Sequence, residues 1–264
     1  MAGREKNCKW YFADQPNVQE VGPNNAIEQS FKNHPYAALV RESIQNSLDA
    51  VLEQSAPVQV VFSFREMNGC DYPEFFSLKD IRVSDYNTKG MAYEKDKTDS
   101  PFYAFVRSAG VSAKDDTSAG GSFGFGKAAY YLLSPISTIM VSTCTKNGDR
   151  FFEGASSLCT HTYRGKKKVA FGYYDDQEGK PISIEADIPA QFRRAEPGTD
   201  INILGFKMEY KDEAVKEMIE AVLRNFWFAI YEGKLEVNVN DVVNITKNTI
   251  ADLMEEYFEG IEDN

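Results

Sequence analysis

Residues Ala38–Val51 read ALVRESIQNSLDAV, and the way this stretch folds decides how the rest is read. Val40, Ile44, Leu48 and Val51 recur at helical spacing, which predicts a helix from about Pro35 to Glu53. At about 100° per residue, Glu42, Asn46 and Asp49 fall within roughly a 60° sector on the opposite side. That sector is either a solvated face, the ordinary state of an amphipathic helix, or the wall of a pocket. A glutamate can orient and deprotonate a water. An asparagine one turn away offers a carbonyl oxygen to Mg²⁺, which prefers oxygen ligands.

Outward from this helix the chain turns to strands. VQVVFSF (Val58 to Phe64) and DIRVSD (Asp80 to Asp85) alternate as strands do. Residues 92–121 are rich in Lys, Asp, Ser, Gly and Ala, with an aromatic patch at Phe102 to Val106, and a connection of this length is either functional or disordered. A helix is expected from about Gly124 to Leu133, stopped by Pro135. STIMVSTCT and DRFFEGASSL follow, joined at Asn147-Gly148, the sequence of a type I′ turn. KVAFGYY, ISIEAD, TDINILG and KLEVNVN read as further strands. DEAVKEMIEAVLRNFWFAIYEG is a helix capped by Gly233, and Ile250 to Ile261 is an acidic amphipathic segment. The layout is α+β: a mixed, mainly antiparallel sheet covered by helices on one face. Residues 1–30 form a polar arm anchored by Trp10, Tyr11 and Phe12, 31–245 the main domain, and 246–264 an acidic helix or the start of a linker to a further domain.

Composition narrows the function classes. The chain has 264 residues, 42% hydrophobic and 13% aromatic, enough to fold around a large core. Its net charge of −11 repels phosphate backbones and anionic membranes, which disfavours direct nucleic-acid binding. The basic run YRGKKKV (Tyr163 to Val169) is read as a solvated hairpin. Cys8, Cys70, Cys144 and Cys159 form no CxxC pair, and His34 and His161 have no partner at zinc-ligand spacing. With no apolar leader and no apolar run of about 20 residues, a cytoplasmic protein that crosses no membrane is expected.

Three further stretches could hold a ligand. In IRVSDYNTKGM, Ile81, Val83 and Asp85 share parity, so the Asp85 carboxylate projects from the face that buries the aliphatics. It either starts a turn or meets a buried partner such as an adenine amino group. In AGGSFGFGKAAYYLL (Ala119 to Leu133), a glycine-rich loop opens into a helix. Such an arrangement presents backbone N–H groups and a positive helix end to phosphate, and Lys127 adds a charge. The spacing is not that of a Walker A loop. In EPGTDINIL, Thr199 shares parity with Ile201 and Ile203 and enters the apolar layer.

Taken in order, these stretches resemble the GHKL ATPases: gyrase, the ninety-kilodalton heat-shock chaperone, histidine kinases and MutL. RESIQNSLDA is similar to that family's N-box, E-x-x-x-N-x-x-D-A, at Glu42, Asn46, Asp49 and Ala50. SDYNTKGM resembles the D-x-G-x-G-M box, GGSFGFGKAA the glycine box that ends the ATP lid, and GTDINI the late Gly-Thr strand. The glycine box is most similar to the chaperone and MORC-type branches, and the likeness spans about Leu39 to Leu204.

The resemblance implies a Bergerat fold, a two-layer sandwich that binds ATP and Mg²⁺. It implies Glu42 as general base, Asn46 as the magnesium ligand, and Asp85, with Thr199 assisting, as acceptor for the adenine amino group. Asp49 would bond within the site. Asn87, Gly90 and Met91 would form the adenine-pocket turn. Gly121, Ser122, Phe123, Gly124, Phe125, Gly126 and Lys127 would close over the phosphates, with 92–122 as the lid. Two departures stand out. Asn87 replaces the first glycine of the second box, and one extra residue separates Asp85 from Gly90-Met91. The lysine that a following domain commonly supplies to the γ-phosphate has no counterpart in the matched stretches. The expected activity is ATP hydrolysis, slow without a partner, with lid closure gating homodimerisation or contact with an effector protein. The N-box and glycine box are also similar to those of prokaryotic stand-alone GHKL proteins, some of which act in anti-phage defence. Two alternatives stay open: a nucleotide-binding module without catalysis, and histidine-kinase-like phosphotransfer through His34.

Overall fold

The computed structural model describes residues 8–15, 20–22, 33–67, 79–108 and 126–258. The strands are β1 (Lys9–Asp14), β2 (Val58–Glu66), β3 (Lys79–Tyr86), β4 (Thr138–Cys144), β5 (Arg150–Ser157), β6 (His161–Tyr163), β7 (Lys166–Asp175), β8 (Gly198–Leu204), β9 (Leu235–Val239) and β10 (Val243–Ile245). The helices are α1 (Pro35–Asp49), α2 (Pro101–Arg107), α3 (Ala128–Leu132), α4 (Lys211–Tyr231) and α5 (Ile250–Phe258). The fold is α+β with one large mixed sheet, in the order β1-β7-β5-β4-β8-β3-β2-β9-β10, and β6 beside β7. The β2–β9 pairing is parallel; the other ladders of the described residues are antiparallel.

Register explains where the core sits. One row of side chains crosses five strands as Val239, Phe62, Val83, Ile201 and Val141. All five pack in the main cluster with Leu39, Val40 and Ile44 of α1 and Met218, Ile219, Val222 and Leu223 of α4. Each such fully buried side chain contributes about 1.5–3 kcal/mol. Two residues further along the same parity, past Val83, Val141 and before Ile201, stand Asp85, Thr143 and Thr199. The polar row therefore begins where the aliphatic row ends.

A second, smaller cluster occupies the opposite parity. Met140, Phe152, Tyr174 and Leu204 pack there under Ile182, Ile188 and Phe192. ISIEAD, expected as a strand, corrects to an irregular strap. Ile182 makes one isolated bridge to Phe152, and Glu185–Asp187 and Ala190–Phe192 are 3₁₀ turns. Ile182 and Ile184 share strand parity in the sequence, but the strap lays Ile182 and Ile188 onto the sheet and turns Ile184 to solvent, 51% exposed. Nearby, Arg65 Nε and Nη2 bind Asp80, and Nη2 also donates to Asn202 Oδ1 at 2.7 Å.

Three further expectations are refined. α1 stops at Asp49 because the Ala50 carbonyl accepts from Lys89 N–H and Leu52 N–H donates to Asn87, so the next turn bonds to the β3 turn instead of continuing the helix. Asn147-Gly148 is not a type I′ turn. Gly148 alone of the pair has positive φ (87°), and its N–H donates to Thr145 O, a type I turn closed by a left-handed glycine. Arg164 and Gly165, both at positive φ, make the primed turn at the tip of the basic hairpin, whose Lys166 and Lys168 pair with Asp14 and Lys167 with Glu20. The arm is anchored as an edge strand by Trp10 against Tyr174 and Phe12 against His161, while Tyr11 is exposed.

Candidate functional site

α1 carries Glu42 and Asn46, both half-buried, beside the strand ends where the polar row begins, and Ser47 of the same helix reaches Asp85 there. Asn46 Nδ2 donates to Glu42 Oε1 at 2.9 Å, an i, i+4 contact that fixes both side chains. Beneath them Ser43 Oγ donates to the fully buried Tyr130 hydroxyl at 3.2 Å. Burial, and then the Glu42 charge, hold the Tyr130 phenol above its ordinary pKa, so it stays neutral. Gly126 closes this end: a Cβ there would lie 1.9 Å from the Glu42 carboxylate. Asp49 is exposed at the end of α1 and accepts from Gln45 Nε2 at 3.2 Å.

Asp85 forms the other end. Its Oδ1 accepts from Thr88 Oγ1 at 2.6 Å and from Thr199 N–H at 2.7 Å; its Oδ2 accepts from Ser47 Oγ at 3.1 Å. Burial raises the Asp85 pKa above the usual carboxylate range, against the pull of Thr88, Arg194, Thr199 and Ser47. With two donors on Oδ1 and one on Oδ2, an acceptor position remains on Oδ2 relative to the four lone-pair sites of a carboxylate.

The turn after β3 is fitted to the end of β4. Thr143 Oγ1 accepts from Met91 N–H at 2.8 Å and donates to Gly198 O at 2.9 Å, and lies 3.3 Å from Thr199 Oγ1. Gly90 sits at φ 65°, and a Cβ there would come within 2.1 Å of Cys144 O, so both conformation and space demand glycine. Asn87 does adopt the left-handed region, at φ 57°. Its amide, however, binds the backbone of Glu53, Ala56 and Pro57, so it clips the α1–β2 loop instead of facing the other site residues.

Lys127 also departs from expectation. Its Nζ donates to Phe105 O at 3.3 Å and to Ser108 O, capping the C-terminus of α2. Burial pushes its pKa down to about 8. Gly121, Ser122, Phe123, Gly124 and Phe125 lie outside the described residues. His34 stands at the N-terminus of α1, exposed, Nδ1 3.9 Å from Glu217. That is eight residues, about 12 Å along the helix axis, from Glu42.

Glu42, Asn46, Asp85, Gly90, Met91, Gly126 and Thr199 thus gather at one end of the central strands, Asp49 is exposed beside Gln45, and Asn87 and Lys127 bind backbone elsewhere. Ser47, Thr88, Tyr130, Thr143 and Arg194 also belong to this end. Of these only Ser47 carried a local signal, since it follows Asn46 on the same helix. Among the described residues no group of three or more His, Cys, Asp and Glu could hold a metal ion, and no helix is long and apolar enough to cross a membrane. The sequence matches no protein-family model, and no curated protein matches it significantly.

Proposed function

We propose that this chain is a GHKL-type ATP-binding domain of Bergerat architecture that hydrolyses ATP with magnesium, the ATP cycle gating contact with a second copy or an effector protein. The observation that supports it is the assembly, at one end of the central strands, of a carboxylate–amide pair on a helix and a buried, multiply bonded carboxylate on a neighbouring strand. The two ends call for different chemistry. Asp85, whose carboxylate oxygens accept from Thr88, Thr199 and Ser47, presents its remaining acceptor capacity to an exocyclic amino group. Glu42, steadied by Asn46, is a carboxylate placed to take a proton from a water as that water's oxygen bonds to the γ-phosphorus and the bridging oxygen leaves with ADP.

The donor set suits magnesium. Asn46 would offer its amide oxygen, since its Nδ2 is the atom bonded to Glu42, and Mg²⁺ is a cation that needs only one or two protein ligands when phosphates and water supply the rest. When bound, the ion neutralises phosphate charge. Lys127 favours a second reading, nucleotide binding without turnover, because the cation of the glycine box is committed to α2 carbonyls.

Calorimetry with ATP and MgCl₂ tests the main reading, with Glu42→Gln as its partner. ATP binding within about threefold of wild type and hydrolysis at least about 100-fold slower are expected. No heat of binding to wild type would sink the nucleotide reading. Equal turnover by the variant would remove only the base assignment.

A further inference from the structure

We infer that Arg194, on the strap that crosses the opposite face of the sheet, sets the selectivity of the Asp85 end for a ring amino group by locking together the ends of β3 and β8. This rests on the nucleotide reading above. Arg194 is 6% exposed, far below the ordinary exposure of an arginine. Its Nε donates to Glu196 O at 2.9 Å, Nη1 to Asp200 Oδ1 at 2.5 Å, and Nη2 to Pro197 O at 3.1 Å and to the backbone carbonyl of Asp85. Its guanidinium lies over the Tyr86 ring, 4.8 Å from the centroid.

These partners are not scattered. Asp85 and Tyr86 end β3; Glu196, Pro197 and Asp200 bracket the start of β8. The two groups read as recognising a base, the Asp85 carboxylate and Thr199, project from those two strand ends. The bond between them, Thr199 N–H to Asp85 Oδ1, is one the guanidinium enforces from behind. A planar fork of five donors can hold four carbonyl and carboxylate oxygens at fixed angles, which a lysine ammonium cannot. The fit is close: a Cβ on Gly198 would come within 2.3 Å of Arg194 Nη2 and 2.4 Å of Asp85 O. Arg194 is held in turn by Arg150 Nε, which donates to its carbonyl at 2.9 Å.

A buried arginine serving only to neutralise Asp200 would need one of these contacts. The others fix backbone that carries site groups. The carboxylate then reads one hydrogen-bonding pattern, because Oδ1 is occupied by Thr88 and Thr199 and only Oδ2 can turn to a ligand. If the strand ends separate, Oδ1 is released, and a carboxylate with rotational freedom discriminates less.

The test uses the whole chain, wild type, Arg194→Gln and Arg194→Lys, with two readouts. The first is the affinity ratio of ATP to purine riboside triphosphate, which lacks the 6-amino group, measured with magnesium. Wild type prefers ATP; both variants bind ATP about tenfold more weakly or worse and the analogue within about twofold, so the ratio collapses. The second needs no ligand: the Thr199 amide exchanges hydrogen about tenfold faster or more in both variants, while Ile201 and Ile203 stay protected. An unchanged ratio with unchanged Thr199 exchange overturns the inference, as does acceleration along all of β8, which marks Arg194 as a general stabiliser. If wild type binds neither nucleotide, the nucleotide reading falls and the selectivity role falls with it, while Thr199 exchange still shows whether Arg194 locks the strand ends. Where Arg194→Gln does not fold, Arg194→Lys carries both measurements.

Discussion

The Asp85 end and the Glu42 end of the candidate site are built differently. Around Asp85 the bonds join several elements, most of them through backbone: Thr88, Thr199 N–H and the helix residue Ser47 on the carboxylate, Thr143 on Met91 and Gly198, Arg194 on four acceptors. Around Glu42 the contacts are between side chains, Asn46 to Glu42 on one helix and Ser43 to Tyr130 beneath them, with Gly126 approaching from outside. A recognition group gains from being fixed before its ligand arrives, since a preset acceptor has no ordering cost left to meet on binding. A proton acceptor instead has to adjust as water and phosphate come into line, and Glu42, half-buried and bonded to a side-chain amide instead of to backbone, is the better placed of the two carboxylates to do so.

Two glycines put this contrast to the strongest test, because adding one methyl group to each meets different material. At Gly90 the new Cβ would strike the Cys144 carbonyl, and the backbone is already at positive φ. Neither can yield without moving β4, so Gly90→Ala is expected to cost about 3 kcal/mol or more, read as a fall in the denaturation midpoint. A loss below about 1 kcal/mol would mean the Asp85 end is as pliant as its opposite. At Gly126 the new Cβ meets the far end of the Glu42 side chain, which can swing aside. Gly126→Ala is therefore expected to change stability by less than about 1 kcal/mol while slowing ATP turnover about 100-fold, equivalent to about 2.7 kcal/mol of barrier. The pair separates fold from chemistry: one variant unfolds early, the other folds and idles.

The same contrast governs what could be read from the sequence. Glu42, Asn46, Asp85 and Thr199 were legible because periodicity fixes the face on which each stands: a period of 3.6 along α1 and of 2 along β3 and β8. Thr143 and Arg194 were not, because nothing local marks them. Thr143 is an ordinary strand threonine until the β4–β8 register sets it opposite Thr199. Arg194, in QFRRAEPG, reads as surface charge until the strap carries it beneath the strand ends. Asn87 misled in the other direction. Its left-handed backbone was foreseeable from its chemistry, but its side chain answers to the α1–β2 loop, a non-local neighbour. The strap has the apolar spacing of a strand, Ile182 and Ile184 sharing parity, but only Ile182 bridges the sheet while Ile184 turns to solvent, a difference set by the non-local partner Phe152.

Titration distinguishes the two ends by sign. Asp85 is an acid whose folded pKa is raised by burial, so it favours the folded state at low pH and loses that contribution as pH rises through its folded value. Lys127, beside Gly126, is a base pushed down from 10.5 to about 8. Below about 8 it is charged in both folded and unfolded chains, and burial of the ammonium opposes folding. Between about 8 and 10.5 the folded chain holds it neutral while the unfolded chain still binds the proton, so stability rises with pH there. The slope is at most about 1.4 kcal/mol per pH unit, reduced by the solvent that still reaches the side chain. Lys127→Met lacks this slope. Urea denaturation of both proteins across that range is therefore expected to show wild type gaining stability relative to the variant with each step up in pH. A constant difference would mean that the Lys127 ammonium is as well solvated in the folded chain as in the unfolded one, and so free to leave the α2 carbonyls at little cost. In that case the reading without turnover loses the observation that favours it, because a cation so loosely held is available to a phosphate.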